Sequence, residues 1–161
     1  MLLVYVTLGR RRIDYRFILV GAVLPDVIDT PLAAAFGWPA GRGIAHTLLA
    51  PILAMVLVVV IFRGSARLRW FGLGVGWLTH LVGDGMWSAP RTFLWPAFGS
   101  AFATSPREPY SVALLTHPLA HWTTWAGELV GAAILLWFFV AFELGRDGRL
   151  KLFATDGYLR P

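Results

Sequence analysis

The stretch Arg16–Trp38, "RFILVGAVLPDVIDTPLAAAFGW", decides how the chain is read. It is long and apolar enough to cross a membrane as a helix, yet Pro25, Asp26 and Asp29 stand near its middle in "LPDVID". Charge and irregular backbone at membrane depth are tolerated only where they are buried in protein or line a cavity, so the segment predicts an interior site. Pro25 lacks an amide donor and clashes with the preceding turn, which predicts a break in the helix there.

Working outward, four apolar stretches stand out: Phe17–Trp38, Ile44–Phe62, Trp70–Trp87 and Trp122–Phe142. At about 1.5 Å of rise per residue, each approaches the roughly 30 Å of a bilayer's hydrocarbon core. The composition agrees, being 57% hydrophobic with a mean hydropathy of +0.65, well above a water-solvated domain. The expected fold is all-α: a polytopic membrane helical bundle of about four transmembrane helices, one or two of them broken, in a single domain over residues 1–161, with the first and third stretches interrupted by polar residues. Trp38, Trp70, Trp87, Trp95 and Trp122 near the ends of the stretches fit interfacial belts. Residues 2–8, "LLVYVTL", are too short to span, and their basic cluster follows the apolar run, unlike a cleavable signal peptide.

The cations report topology. Arg10, Arg11, Arg12, Arg16, Arg63, Arg67, Arg69, Arg146, Arg149, Lys151 and Arg160 make eleven of fourteen, and four crossings would put them all on one side, which the positive-inside rule makes cytoplasmic, with both termini. The expected location is the inner (plasma) membrane, multi-pass. Despite the formal charge of +5, these residues sit between apolar runs and not along one contact face, so nucleic acid is not expected as a partner. Cysteine is absent, so any metal must be held by His, Asp or Glu.

Counting helical rise from the basic ends gives the depth of each polar residue. Asp26 and Asp29 fall at about 15 and 20 Å, His80 and Asp84 at about 17 and 22 Å, His46 at about 25 Å and Glu128 at about 22 Å. Four spans thus bring ionisable groups to one slab, although each costs on the order of 2.5–3.5 kcal/mol in the bilayer. Asp26 and Asp29 are three residues apart, and His80 and Asp84 four, so each pair can share a helical face. Facing pairs of this kind build metal sites in helical bundles, and imidazole with carboxylate suits one or two divalent ions: zinc first, manganese or iron otherwise. Other readings compete: His46 as a helix-to-helix hydrogen bonder, Asp26 and Asp29 as partners of Arg42 or a proton relay, and His80 with Asp84 as a structural pair. His117 and His121 lie in "THPLAH", which reads as a helix start with Thr116 as cap; Glu128 follows His121 by two turns on its face. Asp14 and Glu108 read as plain surface charges.

Four segments, "GAVLPDVID", "GRGIAHTLL", "GWLTHLVGD" and "FLWPAFG", resemble, in order and spacing, the YdjM-type family of membrane-bound metal-dependent hydrolases. The resemblance runs from about Gly21 to Phe98 and implies metal ligands at Asp26, Asp29, His46, His80 and Asp84. It also implies a distant likeness to zinc-dependent phospholipase C and P1-type nucleases. Two positions depart from the family pattern: the chain opens "MLLVYVTLGRRR" with no His, and Thr30 stands where a His often follows the second acid.

The expected function is metal-assisted hydrolysis of a lipid or lipid-linked ester, most readily a phosphoester, at the outer face of the membrane. Glu128 is the expected general base, His121 the proton donor to the leaving group, and Arg42 and Arg91 the residues that hold an anionic head group. Two alternatives use the same Asp/His cluster: a proton or metal transporter, and a scaffold in which the metal is structural. The expected partners are the lipid bilayer and a lipid substrate; a homo-oligomer is also compatible.

Overall fold

In the computed structural model, which describes residues 14–36, 42–102 and 122–158, Tyr15–Phe36 is one helix (α1) with Pro25 and Pro31 inside it. Pro25 therefore does not break the first helix as the sequence suggested. Its ring is fully buried, and packing against neighbours offsets what proline costs a helix interior, about 3 kcal/mol. A one-turn 3-10 segment, Ile44–His46, precedes helix α2, Leu49–Ile61. An extended Phe62 ends α2, and α3 runs Gly64–Gly83. A second 3-10 turn, Met86–Ser88, and a four-residue helix α4, Pro90–Phe93, lie beyond it, then α5, Trp122–Ala141, and α6, Arg149–Asp156. No strand occurs among the described residues.

The all-helical expectation agrees with the structure; the polytopic membrane bundle does not. No helix among the described residues is long and apolar enough to cross a membrane. The apolar stretches and the helices do not coincide. Ile44–Phe62 is divided, leaving α2 with 13 residues, about 20 Å of rise. The helix over Trp70–Trp87 starts earlier, taking in Arg67 and Arg69, and stops at Gly83. α1 carries both carboxylates. The hydropathy lies on the outside of these helices instead, with Val56, Leu57, Val60 and Ile61 of α2 and Leu129, Val130, Leu136 and Val140 of α5 all exposed.

α1 and α3 pack closely because two glycines allow it. A Cβ at Gly21 would collide with the Leu73 carbonyl, and one at Gly76 with the Ile18 carbonyl, so here backbone lies on backbone. α2 folds back against α3, where Met55 covers Gly74. Beneath the middle of α1 and the end of α3, Ala45, Trp77, Leu81 and Met86 form a buried apolar cluster, with Leu24, Ile28 and Phe93 against it. This cluster is the floor of the site described below.

Asp14 is not the surface charge the sequence suggested, being only 2% exposed. Arg16 donates to both its oxygens, from Nε at 2.9 Å and Nη2 at 2.7 Å. The same guanidinium donates through Nη1 to the carbonyls of Ala154 and Thr155 at 2.9 and 2.7 Å, covering the last turn of α6. The Tyr15 amide donates to the Gly157 carbonyl at 2.9 Å. The start of α1 thus holds the end of α6.

Candidate metal centre

Three pieces of chain meet above the Trp77 floor: the middle of α1, the Ile44–His46 turn, and the end of α3. Asp29 of α1 is completely buried and accepts from the amides of Gly43 at 2.7 Å, Ala45 at 3.0 Å and His46 at 3.1 Å. The amides of a tight turn point the same way, so one carboxylate gathers them, and a buried charge held like this is no longer an uncompensated one. The remaining interaction of Asp29 is with the His46 ring, Oδ2 to Nδ1 at 2.7 Å. A proton on Nδ1, donated to the carboxylate, leaves Nε2 of a neutral His46 with a free lone pair.

That Nε2 faces the other ligand candidates. It lies 3.4 Å from His80 Nε2 and 3.4 Å from Asp26 Oδ1, while His80 Nε2 and Asp26 Oδ1 are 3.7 Å apart. A point equidistant from these three atoms in their plane is about 2.0 Å from each, the length of a zinc–nitrogen or zinc–oxygen bond. Asp26, His46 and His80 therefore form a group that can hold a metal ion. His46 is 1% exposed at the side chain and His80 13%, whereas Asp26 is 59% exposed, so the group is anchored on its imidazole side and open on its carboxylate side.

Asp84, just past α3, flanks the group: Oδ2 is 3.7 Å from His46 Nε2, and Oδ1 3.9 Å from His80 Nε2. Its Oδ2 accepts from Arg42 Nη2 at 2.9 Å. Without a metal, the carboxylates dictate the protonation of His46. Burial pushes its pKa down, but the hydrogen bonds to Asp26 and Asp29, with the charges of Asp29 and Asp84, raise it to about 9. The His46 hydrogen bond holds Asp26 below the usual carboxylate range against its partial burial. Burial raises Asp29, yet the His46, Ala45 and Gly43 hydrogen bonds outweigh it and leave that group lowered too.

The structure thus brings together all of Asp26, Asp29, His46, His80 and Asp84, but in different positions. Asp29 sits behind His46, where a carboxylate orients an imidazole, and its oxygens are taken up by the turn. Arg42 pairs with Asp84, not with Asp26 or Asp29. Arg91 is exposed on α4, and no described contact joins it to the group. His117 and His121 lie outside the described residues; Glu128 belongs to α5, but its side chain lies outside them as well. Sequence reasoning missed Trp77, whose buried Nε1 donates to the Ala45 carbonyl at 2.7 Å. Its signal was a Trp one helical turn before His80 in "GWLTH", well inside a stretch whose other Trp residues mark ends.

These observations define a class: an all-helical protein with two imidazoles and a carboxylate converging on one point, one imidazole held by a buried acid. The family follows from comparison with known proteins: over residues 1–148 the chain matches the family described as YdjM inner membrane protein, and it belongs to that family. Membership fits a membrane-associated protein. No curated protein and no solved structure matches the chain.

Proposed function

We propose that this chain is a membrane-associated, metal-dependent hydrolase that cleaves an ester, a phosphoester by preference, in a lipid or lipid-linked substrate. The observation that carries the reading is the triangle of Asp26 Oδ1, His46 Nε2 and His80 Nε2, with sides of 3.4 and 3.7 Å and one exposed edge. Its donor set suits zinc, with manganese or iron as alternatives. An outer-face site would need the four membrane crossings, which no described helix is long and apolar enough to make.

When bound, a divalent ion supplies a Lewis acid that polarises the scissile oxygen and makes a water nucleophilic near neutral pH. The protein's part is positional and acid–base. Asp29 holds His46 with Nε2 forward, so one ligand is set before any ion arrives. Asp84 is 28% exposed at the side chain, and Arg42 engages its Oδ2; Oδ1 is the oxygen left to take a proton at the edge of the site. The remaining donors of Arg42 are available to an anionic ester. The exposed apolar faces of α2 and α5 suit a substrate delivered from lipid.

Zinc-loaded protein is expected to hydrolyse bis(p-nitrophenyl) phosphate or a short-chain phospholipid. The activity should disappear on chelation, return with zinc, and be absent in His80→Ala. Hydrolysis that survives both chelation and His80→Ala, or no hydrolysis of either ester by zinc-loaded protein, contradicts the reading.

A further inference from the structure

The Ala45–His46 peptide unit is held at both ends by different helices. Its N–H, on His46, donates to Asp29 of α1 at 3.1 Å. Its carbonyl, on Ala45, accepts from the Trp77 indole of α3 at 2.7 Å. A peptide is planar, so holding its oxygen and its hydrogen from opposite sides restricts how the unit can turn, and with it the direction in which His46 leaves the backbone. Trp77 is 7% exposed and stands three residues before His80 on the same helix, so it lies on the face that carries the second imidazole.

We propose that Trp77 is a positioning residue for the metal group: it ties the His46 turn to the helix that carries His80 and so sets the 3.4 Å separation of their Nε2 atoms. The proposal rests on the metal reading above for its consequence, but the tie itself belongs to the metal-free fold. A ring that merely filled space would need no donor aimed at this carbonyl. Supporting groups of this kind, one bond removed from the ligands, typically change metal affinity 10–100-fold.

The test uses the full chain and Trp77→Phe, which keeps an aromatic ring and removes the donor. Phe138→Ala, a cavity variant in α5 where that ring packs on Trp137 and Phe142, serves as a control for general destabilisation. Trp77→Phe should bind zinc about 10–100-fold more weakly and change the visible spectrum of the cobalt-substituted site, while Phe138→Ala lowers Tm and leaves both unchanged. In metal-free protein, the Ala45 and His46 amides should exchange with deuterium about tenfold faster in Trp77→Phe, with the α3 amides unaltered. Wild-type affinity and exchange in Trp77→Phe overturn the proposal, as does an equal loss of affinity in Phe138→Ala. If Trp77→Phe does not fold, the wild-type indole N–H decides: slow exchange supports the tie, and exchange at the free-indole rate overturns it. Accelerated turn amides in a protein whose wild type binds no zinc would sink the metal reading while leaving the tie standing.

Discussion

Asp26 and Asp29 show how far residue type alone can mislead. Three residues apart, they differ by about 60° around a helix, close enough to read as two ligands on one face. The fold separates them: Asp29 turns under the Gly43–His46 amides and is fully buried, while Asp26 stays 59% exposed with one oxygen toward both imidazoles. Their substitutions should therefore fail in different ways. Asp29→Ala leaves three amides and a ring nitrogen without their acceptor, and urea denaturation should show a loss on the order of 3 kcal/mol or more. Asp26→Asn should cost under about 1 kcal/mol in the same measurement and still abolish stoichiometric zinc binding, because it removes a ligand from an exposed edge. Equal stability losses in the two variants would contradict this division of roles. The candidates His46, His80, Asp26 and Asp84 were legible because ionisable groups are rare in this chain and stood out in apolar surroundings. The place of Asp29 was not, since it depends on a turn that folds over α1 from 14 to 17 residues away.

Among the elements, the α1–α3 contact fixes how near Asp26 comes to His80. Gly21 and Gly76 let the two backbones touch, and a methyl group at Gly76 would meet the Ile18 carbonyl. Gly76→Ala is expected to lower Tm by several degrees and to weaken zinc binding together, because parting the helices parts the ligands; at this size each kcal/mol corresponds to about 2–4 °C. Gly83→Ala, on the same helix with open space around it, should leave both unchanged or slightly raise Tm. A Gly76→Ala protein that melts lower but binds zinc as wild type would show that the contact stabilises without positioning. That these segments are helical could be read from the sequence; where each begins and ends could not. Hydropathy follows side chains, whereas the breaks at residues 44–48 and 62–63 follow backbone, the first dictated by the bonds Asp29 makes and the second by extended Phe62 and Arg63. Pro25 misled in the opposite direction, staying inside a continuous α1.

At the scale of the molecule, the expectation of four membrane crossings was wrong, yet Asp26, Asp29, His46, His80 and Asp84, which it aligned by depth, do converge, while the side chain of Glu128 lies outside the described residues. The ruler failed because the apolar stretches are not the helices; the convergence survived because α1 and α3 are long and neighbouring, and the middle of α1 lies beside the end of α3 that bears His80. The clasp of Asp14 and Arg16 on α6 could not be foreseen, since it joins residues 138 and 139 positions apart. The charge network also sets a pH dependence. In metal-free protein, His46 has a folded pKa of about 9 against 6.5 unfolded, so its contribution to stability is complete below pH 6.5 and is lost as pH rises through about 9. Asp26 and Asp29, lowered from 3.8, contribute above that value and lose it as pH falls below it. Metal binding must expel the His46 proton, so zinc affinity should climb between pH 6.5 and about 9, by up to tenfold per pH unit; isothermal titration across that range showing flat affinity would contradict the assignment. The central claim, that Asp26, His46 and His80 hold a metal, is tested most directly by the zinc content per chain after exhaustive dialysis, in wild type and in His80→Ala. The account predicts about one equivalent in the wild type and almost none in the variant. A wild-type protein without zinc, or a variant that retains as much, would contradict it.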